Sequence, residues 1–539
     1  MPPPYRTQIL DHLGLVAGMF DELGIGDVID QAIQQNPETR IVTVGNAVKA
    51  MVLNGLGFVN QQLYLVPMFF HNKPPQRLIA LGIEAKHLND DTLGRALETL
   101  YAYGVTELYR LIATTAAYRL GLTPTFAHLD STSFHVDGRY NSAEDPDMHV
   151  IHITRGYSRD HRPDLNQVML DLSVEHHAGI PLLMKPLSGN TSDASDFGHI
   201  VTEHIAQLHT TYGTAYLVAE SALYSEENLQ KLATTQSQWI TRVPATLTEA
   251  QAALAKAAPR AMESLMEGSR YHAFRSTYGG VAQRWVLIYS EPRRPQAQRT
   301  VDKALRKQSA EDVKAFKPLR RTAFACEAEA QQALTALVQG LQATRRHEVT
   351  IRATPRYAKR GRPGKAMIPA DQVYYIEGAL ASSLAAHEAL VRQHSCFILA
   401  TNELDDSALS PQELLHAYKG QKYAERGFRF RKEPLFLASS LYLKKPERIM
   451  ALLMVMTVCL LVYAALEYRI RTALKVHQAT FPNQKGQQIQ NPTARWVFQS
   501  FVGIHLLLMP GQWPLVLNVT DEHQHLLRLL GDPYEAFYS

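Results

Sequence analysis

Two acidic residues follow apolar runs of β type and are candidates to bind a hard cation. Asp130 ends the run TFAHLD, and Glu220 ends the run AYLVAE. A carboxylate just beyond the C-terminal end of a strand lies where open α/β sheets place their ligands, and it offers oxygen atoms to a metal ion. Each acid also has a structural interpretation, because Asp130 before Ser131 can close a turn and Glu220 can lie near the start of a helix at about 225.

A third acid, Glu425, lies in the basic segment HAYKGQKYAERGFRFRKEPLF (416–436). At 100° per residue, one face of roughly 100° collects only polar side chains: Tyr418, Gln421, Lys422, Glu425, Arg429 and Lys432. One interpretation is a solvated face on which Glu425 pairs with Lys422 or Arg429. The other is a metal-binding carboxylate among cations that hold phosphates, because such cations keep the acid ionised.

The elements that position these acids are predicted from hydrophobic periodicity. Up to about residue 120, apolar residues recur at helical spacing, and Asp90 or Asp91 is expected to cap the last of these helices. From about residue 124 the runs TFAHLD, VMLDLSV, PLLMKPL, AYLVAE and QWITRVP predict strands, with the helix SEENLQKLATT before the last of them. This order predicts a mixed sheet with helices packed against it.

Five regions are predicted from the changes of texture along the 539 residues. The charged, alanine-rich part after residue 245 reads as an insertion that contains the basic loop TPRYAKRGRPGKAMIP (354–369). The predicted regions are a helical N-terminal domain (1–120), a strand-rich region that contains Asp130 and Glu220 (121–245), the insertion (246–395), a region that begins with the run CFILATN and contains Glu425 (396–475) and a C-terminal region (476–539).

The composition bounds the class of protein. With 46% hydrophobic and 20% charged residues the chain is typical of globular proteins, and a net charge of +4 says little about partners. The three cysteines are far apart, which disfavours a disulfide framework or a zinc site and suits a reducing cytosol, and the N-terminus lacks the layout of a secretion signal. The apolar run at 449–466 is long enough to cross a membrane, but a buried core helix is the favoured interpretation.

The spacing of Tyr418, Gln421, Glu425 and Lys432 resembles the Tyr-Arg-Glu-Lys signature of a large group of bacterial insertion-sequence transposases, with Gln421 in place of the arginine. The segments GYSRDHRPDLNQ (156–167) and PLSGNTSD (186–193) also resemble parts of these enzymes. Asp130 looks like the first acid of the DDE triad and Glu425 like the last. The N-terminal helices resemble the accessory domain of the subgroup with a long insertion. The resemblance therefore implies a DNA-binding or dimerisation domain at 1–120 and a catalytic domain in two parts, 121–245 and 396–475.

The resemblance implies a ribonuclease H-like α/β fold with a mixed five-stranded sheet. Asp130, Glu220 and Glu425 would be the catalytic acids and would hold two Mg²⁺ ions, for which Mn²⁺ would substitute. The implied activity is cleavage at the element's ends and joining of the 3′-hydroxyls to target DNA. The implied partners are double-stranded DNA, both as terminal inverted repeats and as target, and a second copy of the chain in the DNA complex. No membrane partner is implied, and the implied location is the bacterial cytoplasm, in association with the nucleoid.

Glu220 departs from the family, which has aspartate at the second acid. The added methylene extends the carboxylate by roughly 1.5 Å, which favours reduced activity. The alternative function is therefore a transposon-derived DNA-binding protein with impaired catalysis.

Further contacts with DNA are expected from three sets of residues. Tyr418, Gln421, Lys422, Arg429 and Lys432 would accompany Glu425, with the cations on phosphates and Tyr418 on a displaced strand. In the basic loop, Arg360 and Arg362 resemble the core of an AT-hook, although a solvated loop explains them equally well. A basic cluster in the loop after the first catalytic strand is expected to line the substrate groove: His152, Arg155, Arg159, His161 and Arg162.

Overall fold

The structure is a computed structural model, which describes residues 5–35, 40–58, 63–136, 140, 150–156, 162–191, 207–235, 237–341, 343–357, 371–421 and 443–539. The chain divides into two compact units. Unit 1 contains residues 1–241, 277–283 and 401–539, and unit 2 contains residues 242–276 and 284–400.

The N-terminal part of unit 1 is mainly helical. Its elements are β1 (Arg6–Ile9), α1 (Leu13–Glu22), α2 (Ile25–Ala32), α3 (Val44–Leu56), α4 (Val66–Phe70), α5 (Pro75–Leu78), α6 (Asp90–Tyr103) and α7 (Val105–Arg119). The predicted cap of α6 was wrong by one residue, because the Asn89 side chain accepts the hydrogen bond from the Thr92 amide at 2.9 Å. Asp90 and Asp91 instead occupy the first turn, where carboxylates favour the helix dipole.

Five strands of unit 1 form a mixed sheet. They are β2 (Phe126–Val136), β3 (Asn166–Glu175), β4 (Pro181–Leu187), β5 (Tyr216–Ala219) and β6 (Gln238–Arg242), with helix α8 (Glu226–Thr234) between the last two. The strands are hydrogen-bonded in the order β4-β3-β2-β5-β6. β2 is antiparallel to β3 and β3 to β4, whereas β5 is parallel to both β2 and β6. Each of the five strands overlaps one of the runs predicted from the sequence.

Unit 2 contains most of the residues of the following elements: α9 (Thr248–Ala255), β7 (Glu263–Met266), β8 (Ser269–Tyr278), β9 (Val281–Ser290), α10 (Arg294–Leu319), α11 (Glu327–Gly340), β10 (Thr344–Arg356), β11 (Asp371–Ser382), α12 (Leu384–His394) and β12 (Cys396–Thr401). β12, β9, β8 and β7 are neighbours in that order, and β10 pairs with β11 as an antiparallel ribbon. One face of the ribbon packs through Ile351 and Ile376 against Phe316 and Leu334 of helices α10 and α11.

The remaining elements return to unit 1: α13 (Pro411–Lys419), α14 (Pro446–Val476), β13 (Phe481–Pro482), β14 (Gln488–Ile489), α15 (Ala494–Ser500), β15 (His505–Leu508), β16 (Leu515–Leu517), α16 (Asp521–Leu530) and α17 (Asp532–Tyr538). β1 pairs with β15, so the two ends of the chain share a small sheet. Among the described residues, α14 is the one helix long and apolar enough to cross a membrane, and 89% of its most apolar window is buried. It lies in the core of unit 1, as the core-helix interpretation predicts.

Candidate active site

Two of the predicted acids lie on or directly after the neighbouring strands β2 and β5 of the unit 1 sheet, and the third lies outside the described residues. The prediction that Asp130 ends its strand was wrong. Asp130 lies inside β2, which continues to Val136. The polar residues after it do not form a turn, because Ser131 and Thr132 pair with Asp171 and Leu170 of β3. Glu220 directly follows β5, as predicted. Glu425 lies outside the described residues.

The register of the central strands brings Asp130 and Glu220 to neighbouring positions. The last pair of the parallel β2–β5 ladder is Leu129 with Ala219, and each acid is the next residue on its strand. Neighbouring strands lie about 4.8 Å apart. Asp130 is half-buried and Glu220 is exposed. The two carboxylates, which are 90 residues apart in the chain, are therefore placed side by side at the edge where β5 ends.

The structural interpretation of Glu220 as a helix cap has no support in the contacts. The cap of α8 is Ser225, whose hydroxyl accepts the hydrogen bond from the Asn228 amide at 3.3 Å. Glu220 precedes a short 3-10 turn, and its side chain makes no capping hydrogen bond there. At Asp130, Oδ1 accepts a hydrogen bond from the adjacent Ser131 amide at 2.8 Å.

Three histidines that the sequence analysis did not assign form a hydrogen-bonded chain beside Asp130. His128 lies two residues before Asp130 and therefore on the same face of β2. Its Nε2 is 2.9 Å from Nδ1 of His176, and Nε2 of His176 is 3.1 Å from Nδ1 of His416 on α13. His128 and His176 are buried, whereas His416 is exposed. The chain thus connects the strand of Asp130 to α13.

The direction of the hydrogen bonds follows from the protonation of His128, the buried end of this histidine chain. Nδ1 of His128 is buried and has no hydrogen-bond partner among the described residues. A buried N–H without an acceptor costs more than a bare ring nitrogen, so the favoured tautomer of His128 carries its proton on Nε2. His128 then donates to His176, and His176 donates to His416. Burial, followed by the charges of His176 and His177, lowers the pKa of His128 to about 3, so this imidazole is neutral at pH 7.

Gly420 allows the end of α13 to pack directly on the histidine pair. A Cβ atom at this position would lie 2.2 Å from Nδ1 of His176 and 2.9 Å from Nε2 of His128. His416 and Gly420 are four residues apart and share one side of the helical turn. A capping box between Ser410 and Glu413 fixes the start of the same helix. The end of α13 at Gly420 is therefore held against the strand of Asp130.

The other predicted DNA contacts are only partly within the described residues. Tyr418 and Gln421 are half-buried beside the docked turn, and Nε2 of Gln421 has no hydrogen-bond partner among the described residues. Arg155 is exposed. Arg162 forms a two-pronged ion pair with Asp164, and this contact lowers the pKa of the Asp164 carboxyl to about 2. The residues outside the described part are Lys422, Arg429, Lys432, Arg159, Arg360 and Arg362.

The segments 156–167 and 186–193, which also resemble parts of the transposases, contact each other in the structure. Gln167 at the start of β3 donates to the Gly189 carbonyl at 2.7 Å and forms an isolated bridge with Thr154. A Cβ at Gly189 would lie 2.0 Å from the Gln167 carbonyl oxygen, and one at Gly156 would lie 2.0 Å from the Gly189 oxygen. Neither position can carry a side chain without a shift of the backbone, because backbone atoms of the facing segment occupy the place of the Cβ atom. Gln167 pairs with His135 of β2 on one side and with Thr154 on the other, so this junction places Arg155 across β3 from the end of β2.

Two carboxylates at neighbouring positions are suitable oxygen ligands for Mg²⁺. Within the described parts of the chain, however, no group of three or more His, Cys, Asp or Glu residues is arranged to hold a metal ion. The histidine chain does not form such a group, since the ring nitrogens that face one another are joined by hydrogen bonds. The predicted metal site therefore depends on Glu425.

Comparison with known proteins adds little to this geometry. Residues 5–114 match the family model of a domain of unknown function (DUF4277), which covers N-terminal helices and leaves the sheet and the acids outside. No curated protein matches the chain. Among solved structures, the piggyBac transposase in a synaptic complex with hairpin DNA is similar over 92% of this chain and 82% of that chain, with 10% sequence identity and a TM-score of 0.36. A likeness of this size supports no conclusion about function.

Proposed function

We propose that this protein is a DNA transposase of the DDE type with a ribonuclease H-like catalytic core. The observation that carries the proposal is the register of the neighbouring strands β2 and β5, in which Asp130 and Glu220 are each the next residue after the last ladder pair. The mixed sheet has Asp130 on its first strand in chain order and Glu220 after its fourth, which agrees with the fold that the resemblance implies. The contacts of His416 and Gly420 with the histidine pair hold the end of α13, five residues before Glu425 in the sequence, against the same strand.

The donor set of the proposed site consists of the carboxylates of Asp130, Glu220 and Glu425. These three residues would hold two Mg²⁺ or Mn²⁺ ions, which when bound supply activation of the attacking hydroxyl and stabilisation of the leaving 3′-oxygen. The chain itself supplies the fixed positions of the acids through the β2–β5 ladder. Lys422, Arg429 and Lys432 would neutralise phosphates, and Tyr418 would contact a displaced strand.

The proposed substrates are the terminal inverted repeats of an insertion sequence and the target DNA. Cleavage at the element's ends would release 3′-hydroxyls that attack the target, and two copies of the chain would pair the two ends. In this proposal the N-terminal helices bind DNA or the second copy, and the protein acts at the nucleoid in the bacterial cytoplasm.

A second candidate is a DNA-binding protein derived from such an enzyme, with little catalytic activity. Glu220 favours this candidate, because its longer side chain follows β5 directly and would crowd a site in which two metal ions lie about 3.5–4 Å apart. Both candidates predict DNA binding, and they differ in cleavage.

A cleavage assay on supercoiled plasmid separates the candidates. The plasmid carries the DNA that flanks the gene on both sides, and the reaction is run with Mg²⁺, with Mn²⁺ and with EDTA. We expect metal-dependent cuts at the borders of an inverted repeat. Glu425→Gln should abolish them while leaving DNA affinity nearly unchanged, since coordination needs the charge and phosphate contacts do not. Binding without cleavage by the unmodified chain would favour the second candidate, and cleavage of more than a few per cent by Glu425→Gln would contradict the assignment.

A further inference from the structure

Helix α10 of unit 2 has one buried face and one strongly basic face. Its buried face contains Ala297, Val301 and Phe316, which pack in two clusters with residues of α12 and of the β10–β11 ribbon. The opposite face is solvent-exposed. At 100° per residue, a sector of about 100° centred opposite Val301 contains six exposed cations: Arg299, Lys303, Arg306, Lys307, Lys314 and Lys317. These six residues are called the α10 stripe.

The acids of α10 do not neutralise the stripe. Asp302 lies on the flank of the helix and pairs with His387 at 2.7 Å. Asp312 is buried and accepts hydrogen bonds from the Thr344 amide and hydroxyl at 3.0 and 2.8 Å. Glu311 lies about 40° outside the sector. The stripe therefore contains positive charges alone.

A helix face that only keeps a protein soluble does not require charges of a single sign gathered in one sector. Four pairs of stripe residues are three or four positions apart, and like charges at these spacings destabilise a helix. Asp302 and Glu311 lie at the same spacings from stripe residues, but two acids offset only part of the repulsion among six cations. The repulsion is relieved when a polyanion lies along the helix. The stripe spans 19 residues from Arg299 to Lys317, and the 18 helical steps between them rise by roughly 27 Å, which equals the rise of about eight base pairs.

Among polyanions, the observations favour duplex DNA over a membrane surface. A helix that binds anionic lipid also inserts an apolar face, but the apolar face of α10 is already buried inside unit 2. Lysine and arginine in a line are suited to the regular spacing of backbone phosphates, which positions DNA without reading its sequence.

We propose that the α10 stripe binds the phosphate backbone of duplex DNA independently of sequence. This inference takes the identity of the polyanion from the proposed function, and it assigns unit 2 a contact surface separate from the acids and from the basic loop at 354–369.

The test uses the full chain and a random-sequence duplex of about 30 base pairs, with affinity measured by fluorescence anisotropy between 50 and 300 mM KCl. The stripe variant replaces all six cations by glutamine, which has a helix propensity close to that of lysine and arginine. Each phosphate contact contributes about 0.9 to the slope of log affinity against log salt. We expect the slope to fall by about three to five and the affinity at 100 mM KCl to fall at least about tenfold.

Two control variants keep the test specific to charge and place. Exchanging lysine for arginine and arginine for lysine at all six positions preserves the charge and should bind like the unmodified chain. Replacing the exposed cations Lys475, Lys485 and Arg528 of unit 1 by glutamine should change the slope by less than one. Circular dichroism and a thermal melt establish that the stripe variant remains folded. If it unfolds, the three-residue variants R299Q/K303Q/R306Q and K307Q/K314Q/K317Q replace it, and each should lose about half of the slope.

An unchanged slope of log affinity for DNA against log salt in folded stripe variants would overturn the inference. It would also be overturned if the stripe variant lost binding to phosphatidylserine vesicles but bound DNA like the unmodified chain. The plasmid assay distinguishes this failure from failure of the proposed function. If the slope is unchanged while cleavage depends on Glu425, the transposase proposal stands and the stripe does not. If the slope falls while no cleavage is seen, the stripe stands as a DNA-binding surface of the second candidate.

Discussion

Replacing Gly420 by alanine tests whether α13 is seated on the histidine pair. The added Cβ would lie 2.2 Å from Nδ1 of His176, where ordinary contact begins at 3.4 Å. The rings of His176 and His128 are buried, with 3% and 0% of their surface exposed, so they have little room to move. The end of α13 must therefore shift by about 1 Å.

This shift should affect both stability and activity. Overpacking of this kind typically lowers the free energy of unfolding by about 1–3 kcal/mol. A displacement of about 1 Å in a group that positions a catalytic residue can reduce the rate about 100-fold. We therefore expect Gly420→Ala to lower single-turnover cleavage of the flanking DNA by about two orders of magnitude. Affinity for DNA should change little, since the substitution alters no charge.

Two further variants complete the measurement. Gly340→Ala is the matched control, because Gly340 ends helix α11 and a Cβ there would meet no atom within 4 Å. It should change stability by no more than about 1 kcal/mol and leave cleavage unaltered. Adding Gly420→Ala to His176→Ala should cost much less than adding it to the unmodified chain, because the obstructing ring is gone. If Gly420→Ala has the same free energy of unfolding and the same cleavage rate as the unmodified chain, the packing of α13 on the histidines is refuted.

Three other perturbations give distinct outcomes. Glu220→Asp should raise the single-turnover cleavage rate by about tenfold or more, equivalent to about 1.4 kcal/mol of barrier, whereas equal rates with a changed thermal midpoint would remove Glu220 from the active site. Replacing Arg360 and Arg362 by alanine should lower the salt slope of DNA binding by about one to two, and an unchanged slope would return the loop to the solvated interpretation. His128 has a folded-state pKa near 3, below its usual value, so the unfolded chain binds more protons between these values and stability is lost as pH falls from about 6.5 towards 3. His128→Asn should therefore lose about 2 kcal/mol less stability than the unmodified chain between pH 7 and pH 5 in urea denaturation, and parallel losses would show that His128 does not titrate in this range.

The sequence predicted the strands of the unit 1 sheet because each is an apolar run of suitable length. It failed at Asp130, where Ser131, Thr132 and Ser133 resemble a turn. In the structure these polar residues continue the strand, since their backbone groups pair with those of Asp171, Leu170 and Met169 on β3. A local pattern does not contain that information, because the partner strand begins 30 residues after β2 ends.

The histidine chain was missed for a similar reason. Its two hydrogen bonds join residues that are 48 and 240 positions apart. Each histidine alone is unremarkable in its segment, and only the pairing of β2 with β3 and the return of α13 bring the rings together. One signal was present in the sequence, because His416 and Gly420 are four residues apart at the start of the basic segment, and a small residue at that spacing permits close packing.

The central claim, that Asp130 and Glu220 jointly bind a divalent metal ion, is tested most directly by iron-directed cleavage of the protein backbone. Fe²⁺ replaces Mg²⁺, ascorbate and peroxide generate radicals at the bound ion, and mass spectrometry locates the cuts in the polypeptide. We expect cuts next to Asp130, Glu220 and Glu425 that disappear with excess Mg²⁺ and with Asp130→Asn. Cuts elsewhere in the chain, or cuts at these positions that persist in Asp130→Asn, would contradict the claim.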